Sequence, residues 1–280
     1  MNVHLAKSAG FCFGVKRAIK IAGELAEKGG ETRMLGDLVH NETVIREMES
    51  AGIKKIKRLG NGKNKSLLIR AHGVSNDIAL RARKRGYRIV DATCPMVREI
   101  HKIVKRMDRQ GYRIIVIGDC QHDEVLGIMG QIKRKALAID SADTIPWNAV
   151  RRIKKAAIVV QSTQNLDQAI QIVNILKSEM GVVRFFNTIC KPTQKKQEEI
   201  KIMPLKHDVM IIIGSRTSAN TKRLYEISKS LNPRSFWIQD AEEINPQWFR
   251  NAVSVGVSAG ASTPKSIMQA VMEDIARISS

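Results

Sequence analysis

The sequence predicts an α/β fold of three similar α/β modules, with mainly parallel sheets around a pseudo-threefold axis. Three observations support this prediction. Strand-like and helix-like segments alternate along the chain, two kinds of strand–loop–helix unit each occur three times, and a cysteine precedes a helical pattern in each third. Strands that alternate with helices at such spacing are typical of parallel sheets. We place the modules at residues 1–93 (with Cys12), 94–189 (with Cys94) and 190–280 (with Cys190).

The first kind of unit joins a β-branched apolar run to a polar loop and then to a helical pattern. It occurs in the segments RMLGDLVHNETVIREM, RIIVIGDCQHDEVLGIM and DVMIIIGSRTSANTKRLYEI. The second kind has the same order and occurs in SLLIRAHGVSNDIALRARKRG, AAIVVQSTQNLDQAIQIVNILK and AVSVGVSAGASTPKSIMQAVMEDI. Because ligands bind beyond the carboxyl ends of parallel strands, the polar loops of these six units form the candidate site.

Three of the four cysteines lie between a short extended segment and a charged helical pattern. Cys12 precedes FGVKRAIKIAGELAEKG, Cys94 precedes PMVREIHKIVKRMDRQG and Cys190 precedes KPTQKKQEEIKIM. If the modules pack around a threefold axis, these junctions converge, and we expect the three thiols to meet at the centre. The alternative is a set of buried, reduced thiols that bind nothing.

Three converging thiolates favour an iron–sulfur cluster over structural zinc. Structural zinc usually takes four ligands, often from CxxC pairs, and the sequence contains no CxxC. Thiolates suit iron–sulfur clusters, and a 4Fe-4S cluster with three protein ligands keeps one iron open for substrate. The fold prediction therefore includes a central iron-sulfur site. Cys120, in IGDCQHDEV, lacks the helix setting and is interpreted as a non-ligand, with a fourth cluster ligand as the alternative.

Nine short motifs follow one another over nearly the whole chain. They are GFCFGV, LVHNETV, AHGVS, DATCP, QHDEVLGIMGQ, QST, IC, SANTKRL and AGAS. In this order they resemble the 4-hydroxy-3-methylbut-2-enyl diphosphate reductase family. The resemblance implies three modules around a 4Fe-4S cluster bound by Cys12, Cys94 and Cys190. It also implies an iron-sulfur oxidoreductase that reductively dehydroxylates (E)-4-hydroxy-3-methylbut-2-enyl diphosphate to isopentenyl diphosphate and dimethylallyl diphosphate, the final step of the non-mevalonate isoprenoid precursor pathway.

The resemblance further implies roles for side chains in the polar loops. Glu124 matches the family's acid, which protonates the departing oxygen, and a dry pocket shifts the pKa of such an acid toward neutrality. The other matches are substrate-binding residues: His40, His72, His122, Ser162, Ser218, Asn220 and Ser262. The alternative for each of these residues is a helix cap or a solvated loop position.

Two positions depart from the family's pattern. The family usually has Ser-Ser-Asn where this chain has Ala219 between Ser218 and Asn220. Loss of one hydroxyl donor to a charged group costs about 1.5–3 kcal/mol, or roughly tenfold or more in affinity, unless a backbone N–H replaces it. The family commonly has Thr-Thr where this chain has Ser162 and Thr163. Ser162 keeps the hydroxyl but lacks the methyl group that stiffens the side chain.

The chain is strongly basic, with 47 Lys+Arg against 27 Asp+Glu and a formal net charge of +20. The basic residues are spread over many segments, only 4% of residues are aromatic, and no RNA-binding, zinc-finger or helix–turn–helix pattern is present. We therefore expect no nucleic-acid partner. We expect the basic surface to steer an acidic electron carrier, such as ferredoxin or flavodoxin, toward the protein.

Two other functions stay open on the sequence alone. One is another three-module iron–sulfur dehydratase, similar to quinolinate synthase, and the other is a degenerate relative that binds nucleic acid. The longest clean apolar runs, such as VMIII, span five residues, whereas a membrane helix needs about 20. We therefore expect a cytoplasmic protein that does not insert into a membrane.

Overall fold

The computed structural model describes residues 1–278, which form twelve β-strands and ten α-helices. The strands are β1 (Asn2–Leu5), β2 (Glu31–Leu35), β3 (Ile53–Ile56), β4 (Lys65–Ile69), β5 (Arg88–Asp91), β6 (Arg113–Ile117), β7 (Leu137–Ile139), β8 (Lys155–Val160), β9 (Val182–Phe185), β10 (Val209–Ile213), β11 (Ser235–Ile238) and β12 (Ser254–Ala259). The helices are α1 (Phe13–Glu27), α2 (Glu42–Ser50), α3 (Asn76–Lys84), α4 (Pro95–Arg109), α5 (Asp123–Met129), α6 (Trp147–Val150), α7 (Leu166–Glu179), α8 (Lys191–Ile200), α9 (Ala219–Leu231) and α10 (Lys265–Ile278).

The strands form three four-stranded sheets in which all neighbouring strands are parallel. The first sheet has the order β3-β2-β4-β5, the second β7-β6-β8-β9 and the third β11-β10-β12-β1. The two central strands of each sheet belong to the two repeated units, and each of these strands is followed by its predicted helix. The predicted α/β fold with parallel sheets is therefore confirmed.

The third sheet takes its last strand from the opposite end of the chain. β1 pairs with β12 in a register that runs from Asn2↔Ser254 to Leu5↔Val257. β1 thus occupies the edge position that β5 and β9 occupy in the other two sheets. The module boundaries stay a prediction, but β1, which they assign to residues 1–93, lies in the sheet of the third module. The pairing is non-local, and the residues around β1 carry no signal for it.

The second and third sheets are covered on both faces by apolar side chains. Alternate residues of β8 pack into two separate clusters, one on each face, and alternate residues of β10 do the same. Continuous apolar runs such as these are typical of parallel strands buried between two layers of helices. The strands therefore form a rigid support, and the polar residues are left at the strand ends.

The chain divides into two compact units. The third-sheet unit comprises Met1–Lys16, His40–Val44 and the segment from Lys191 onward. The two-sheet unit comprises Arg17–Val39 and Ile45–Cys190, and it contains the first and second sheets. Within residues 1–278, no helix combines the length and the apolar character needed to cross a membrane.

Candidate active site

Each predicted cluster ligand lies between the edge strand of a sheet and the following helix. Cys12 lies between β1 and α1, Cys94 between β5 and α4, and Cys190 between β9 and α8. In each junction the cysteine N–H donates to a carbonyl two residues beyond the end of the adjacent central strand. These bonds join Cys12 to Ala261 (N···O 3.1 Å), Cys94 to Ala71 (2.9 Å) and Cys190 to Ser162 (3.0 Å). The predicted strand-to-helix junction is therefore one local structure that occurs three times.

The thiols at these junctions differ from the fourth cysteine in exposure. Cys12, Cys94 and Cys190 are half-buried, Cys120 is exposed, and no disulfide joins any of the four within the described part of the chain. Desolvation and two nearby aspartate carboxylates raise the pKa of the Cys120 thiol, which disfavours the thiolate that a metal requires. The other three directly precede the first residues of α1, α4 and α8. The donor chemistry of these three thiols fits an iron–sulfur cluster, and that of Cys120 does not.

A buried carboxyl group lies in the two-sheet unit. Glu124 is only 1% exposed and belongs to the first turn of α5. Its Oε1 accepts the backbone N–H of Ser162 at 2.6 Å, and its Oε2 lies 2.8 Å from Ser162 Oγ. Burial raises the pKa of Glu124, and the two Ser162 hydrogen bonds oppose part of that rise. A solvated helix terminus is therefore the wrong description of this residue, which has the environment of a proton donor.

Two histidines adjoin Glu124. His122 caps α5, and its Nδ1 accepts the backbone N–H of Glu124 at 3.1 Å. Because Nδ1 is an acceptor, the proton of a neutral His122 is on Nε2, which can donate. The His72 ring packs edge-on against the His122 ring, with centroids 5.3 Å apart. The structure thus brings four of the predicted residues, Glu124, Ser162, His122 and His72, into one polar cluster.

An ion pair that sequence reasoning missed joins the two segments that carry this cluster. Arg70, directly after β4, pairs with Asp123 in the first turn of α5. Arg70 Nε also donates to the Gly73 carbonyl at 3.4 Å. Gly36 has a φ of 73°, and a Cβ at this position would lie 2.6 Å from Arg70 Nη1. The pair therefore ties the loop of His72 to the helix of Glu124, and the glycine leaves room for it.

The third-sheet unit holds the remaining predicted polar residues. Ser262 Oγ donates to the His40 carbonyl at 2.8 Å. Ser218 caps α9, with its Oγ accepting the Thr221 N–H at 3.3 Å. Asn220 lies in the first turn of α9, not in the preceding loop as expected. It is 4% exposed, and its Nδ2 has no hydrogen-bond partner among residues 1–278. A buried amide donor is costly unless a ligand satisfies it.

A buried lysine and a glutamate, also missed from the sequence, hold the loop before Cys12. Lys196 on α8 is 2% exposed, and its Nζ donates to the carbonyls of Ser8 and Ala259. Glu199 accepts the backbone N–H groups of Lys7 and Ser8 at 2.7 and 2.9 Å. Burial alone would raise the pKa of Glu199, but these bonds, the Ser8 hydroxyl and the charge of Lys196 bring it below its ordinary value. The third-sheet unit therefore fixes this loop with charged groups.

The polar residues also occupy repeated positions in the three sheets. The fifth residue after the end of each first central strand (β2, β6 and β10) is His40, His122 and Ser218, respectively. The seventh residue is Glu42, Glu124 and Asn220, respectively. Glu42 is exposed and accepts the Ser215 hydroxyl at 2.7 Å. Of the three residues at the seventh position, only Glu124 is a buried acid. The three sheets therefore offer equivalent backbone positions, and the side chain at each position determines its chemistry.

The fold and the site define a class of protein. It is an α/β protein of three parallel sheets, with one thiol at each of three equivalent strand-to-helix junctions and a buried carboxylic acid in the first turn of a helix that follows a central strand. The family model described as LytB protein matches residues 3–276. The chain therefore belongs to the LytB protein family.

Individual relatives match over nearly their full length. The chain is 41% identical over 280 residues to the 4-hydroxy-3-methylbut-2-enyl diphosphate reductase of Geobacter metallireducens, covering 100% of this chain and 99% of the relative. The enzyme of the same name from Aquifex aeolicus is 37% identical, with 99% and 97% covered.

Two solved structures of reductases of this kind are also similar to the chain. A structure of (E)-4-hydroxy-3-methyl-but-2-enyl diphosphate reductase, described as the terminal enzyme of the non-mevalonate pathway, has a TM-score of 0.71 at 37% identity, covering 99% of this chain and 100% of that one. The E-1-hydroxy-2-methyl-but-2-enyl-4-diphosphate reductase of Plasmodium falciparum has a TM-score of 0.89 at 27% identity, covering 97% and 87%. The resemblance inferred from the motifs is confirmed.

Proposed function

We propose that this chain reduces (E)-4-hydroxy-3-methylbut-2-enyl diphosphate to isopentenyl diphosphate and dimethylallyl diphosphate. In this reaction the bond between the allylic carbon and the hydroxyl oxygen breaks, and two electrons and two protons are consumed. One proton leaves with the oxygen as water, and the other is added to the carbon skeleton. The observation that carries the proposal is the buried Glu124–Ser162 pair in a chain of this family.

Glu124 supplies the proton for the departing oxygen. Ser162 Oγ donates to Oε2 of the ionised carboxylate, and Oε1 accepts the Ser162 N–H. When Glu124 is protonated on Oε2, that bond reverses and Oε2 donates to Ser162 Oγ. The Ser162 hydroxyl hydrogen then points away from Glu124 and can be donated to substrate. The pair is a short proton relay, in which Ser162 passes on a proton and regains one from Glu124. The Nε2–H of His122 offers a second donor beside it.

Cys12, Cys94 and Cys190 would hold a 4Fe-4S cluster. Their shared junction geometry and half-buried thiols support this assignment. When bound, such a cluster supplies the electrons and an open iron that acts as a Lewis acid. The chain's own contribution is to present three thiols at helix starts and to exclude Cys120, whose thiol is exposed and whose pKa is raised.

The substrate diphosphate binds to His40, His72, Ser218, Asn220 and Ser262. The buried Nδ2 of Asn220, which lacks a partner among residues 1–278, supports this assignment because a diphosphate oxygen would satisfy it. Ala219 offers no hydroxyl. Its backbone N–H is among the amino-terminal groups of α9 that lack an intrahelical acceptor, and it can donate in place of the missing side chain.

The electrons come from a small acidic carrier protein, such as ferredoxin or flavodoxin. The formal charge of +20 supports this partner, because complementary charge accelerates the encounter between two proteins. Encounter rates that do not change with ionic strength would contradict it.

Anaerobic reconstitution tests the proposed function. We expect a brown protein with the iron and sulfide content of a 4Fe-4S cluster, which oxidises reduced methyl viologen only when the allylic diphosphate is present. Mass spectrometry should detect both products. Cys94→Ser should lower the iron content. Colourless protein after reconstitution, together with tight, salt-dependent binding to nucleic acid, would refute the proposal.

A further inference from the structure

We propose that a basic cavity beside α3 is the docking surface for the acidic electron carrier. This inference rests on the proposed function and specifies where one of its partners binds. The cavity has a volume of about 570 Å³ and is lined by Lys57, Arg58, Arg81 and Arg85, together with three apolar side chains. Among the described residues, no carboxylate lines it. A cavity of this kind accepts a protruding acidic segment of a partner.

The charges in this cavity are not all neutralised by the protein itself. Arg81 pairs with Asp77 on the exposed side of α3, and Arg85 donates to the Leu59 carbonyl. Lys57 and Arg58 are both exposed, and within residues 1–278 neither forms an ion pair. Like charges held side by side repel one another, and carboxylates of a partner relieve that repulsion. Lys57 and Arg58 are therefore the residues that a partner would engage.

The cavity adjoins the carboxyl ends of β2 and β3, and Cys94 lies beyond the carboxyl end of β5 in the same sheet. Its lining includes Leu35, the last residue of β2, and Lys57, the residue after β3. Cys94 follows β5, whereas Lys57 and Arg58 follow β3, which is three strand positions from β5. Three strand spacings amount to about 14 Å. Electron transfer slows steeply with distance, so a carrier bound at this edge is well placed to reduce a cluster held by Cys94.

A second basic cavity provides a matched comparison. It has a volume of about 600 Å³ and is lined by Arg113, Arg134, Arg152, Lys154 and Lys155. Arg113 and Lys155 are the first residues of β6 and β8, so this cavity lies at the amino-terminal edge of the second sheet. The cysteine junctions lie at the carboxyl ends of strands. A carrier bound at the second cavity would therefore be on the far side of its sheet from Cys190.

The test compares two variants with equal charge loss. The first is Lys57→Gln/Arg58→Gln and the control is Arg152→Gln/Lys154→Gln. All four side chains are exposed, and none is in an ion pair among residues 1–278. Each variant lowers the formal net charge from +20 by two. Binding of the reconstituted protein to an immobilised acidic ferredoxin is measured at low and at high salt, and circular dichroism checks the fold.

At low salt we expect the first variant to bind the ferredoxin about tenfold more weakly than the unaltered protein. The control should bind almost normally, and the difference should fade at high salt because mobile ions screen exposed charges. Turnover with reduced methyl viologen, which needs no docking surface, should be the same for all three proteins. Ferredoxin-driven turnover should fall only in the first variant.

Three results would overturn the docking surface: equal weakening in both variants, no weakening in the first, or no binding of the ferredoxin by the unaltered protein. Equal weakening would mean that net charge alone governs the encounter. The viologen assay separates these failures from failure of the proposed function. Absence of viologen-driven turnover in the unaltered protein would instead refute the reductase assignment itself.

Discussion

Replacement of Ser162 by alanine tests the proton relay in the two-sheet unit. The change removes the contact of 2.8 Å between Ser162 Oγ and Glu124 Oε2 but keeps the backbone donor to Oε1 at 2.6 Å. A hydrogen bond to a charged group contributes about 1.5–3 kcal/mol. Its loss shifts the protonation equilibrium of Glu124 toward the neutral acid by about ten- to a hundredfold. Burial already raises the pKa of this residue, and the variant should raise it further.

Two measurements follow from this change. The activity of an acid catalyst is lost as pH rises through its pKa, so the alkaline limb of the kcat profile should move to higher pH in Ser162→Ala. The maximum kcat should also fall, by roughly a hundredfold, because the group proposed to pass the proton to substrate is gone. Ser162→Thr keeps the hydroxyl and is the matched control, with near-normal kcat. An unchanged pH profile together with unchanged kcat in Ser162→Ala would refute the relay.

Three more substitutions have definite expected outcomes. Glu124→Gln should retain iron but lose turnover by about a hundredfold or more; an active variant with normal iron content would remove the acid assignment. Ala219→Ser should lower KM for the allylic diphosphate up to about tenfold, whereas an unchanged KM would show that a backbone N–H already fills that place. Folded-state interactions lower the pKa of Glu199, so its stabilising contribution is present above its ordinary value of 4.5 and is lost as pH falls through the lowered value. In thermal melts, Glu199→Gln should therefore depress Tm at neutral pH and much less in acid; a Tm difference independent of pH would contradict this reasoning.

The strands and helices could be predicted from the sequence because the patterns that indicate them are local. Apolar β-branched runs such as that of β10 mark buried parallel strands, and the polar loop and helical pattern after each run mark the unit. The same locality explains why Cys12, Cys94 and Cys190 were placed correctly at strand-to-helix junctions. Glu124 and its neighbours were found through the family resemblance, which also favoured a dry pocket for the acid, and the structure shows that Glu124 is buried.

The contacts that were missed join residues far apart in the chain. The partner of Asp123 is Arg70, and the partner of Lys196 is the carbonyl of Ser8. Neither pair produces a pattern in its own segment, because the sequence around an Arg or Lys does not show whether it is solvated or paired. Asn220 was expected in a loop because its segment follows a strand, yet Ser218 caps the helix early and brings Asn220 into the first turn.

The pairing of β1 with β12 determines when the protein can be completed during synthesis. Asn2 pairs with Ser254, about 250 residues later in the chain, so this edge strand cannot be paired until the intervening residues and β12 have been translated. Until then the N–H of Cys12 cannot reach the carbonyl of Ala261. Loading of the proposed cluster at Cys12 would therefore require translation through β12, because a chain that terminates before β12 leaves this thiol without the Ala261 contact.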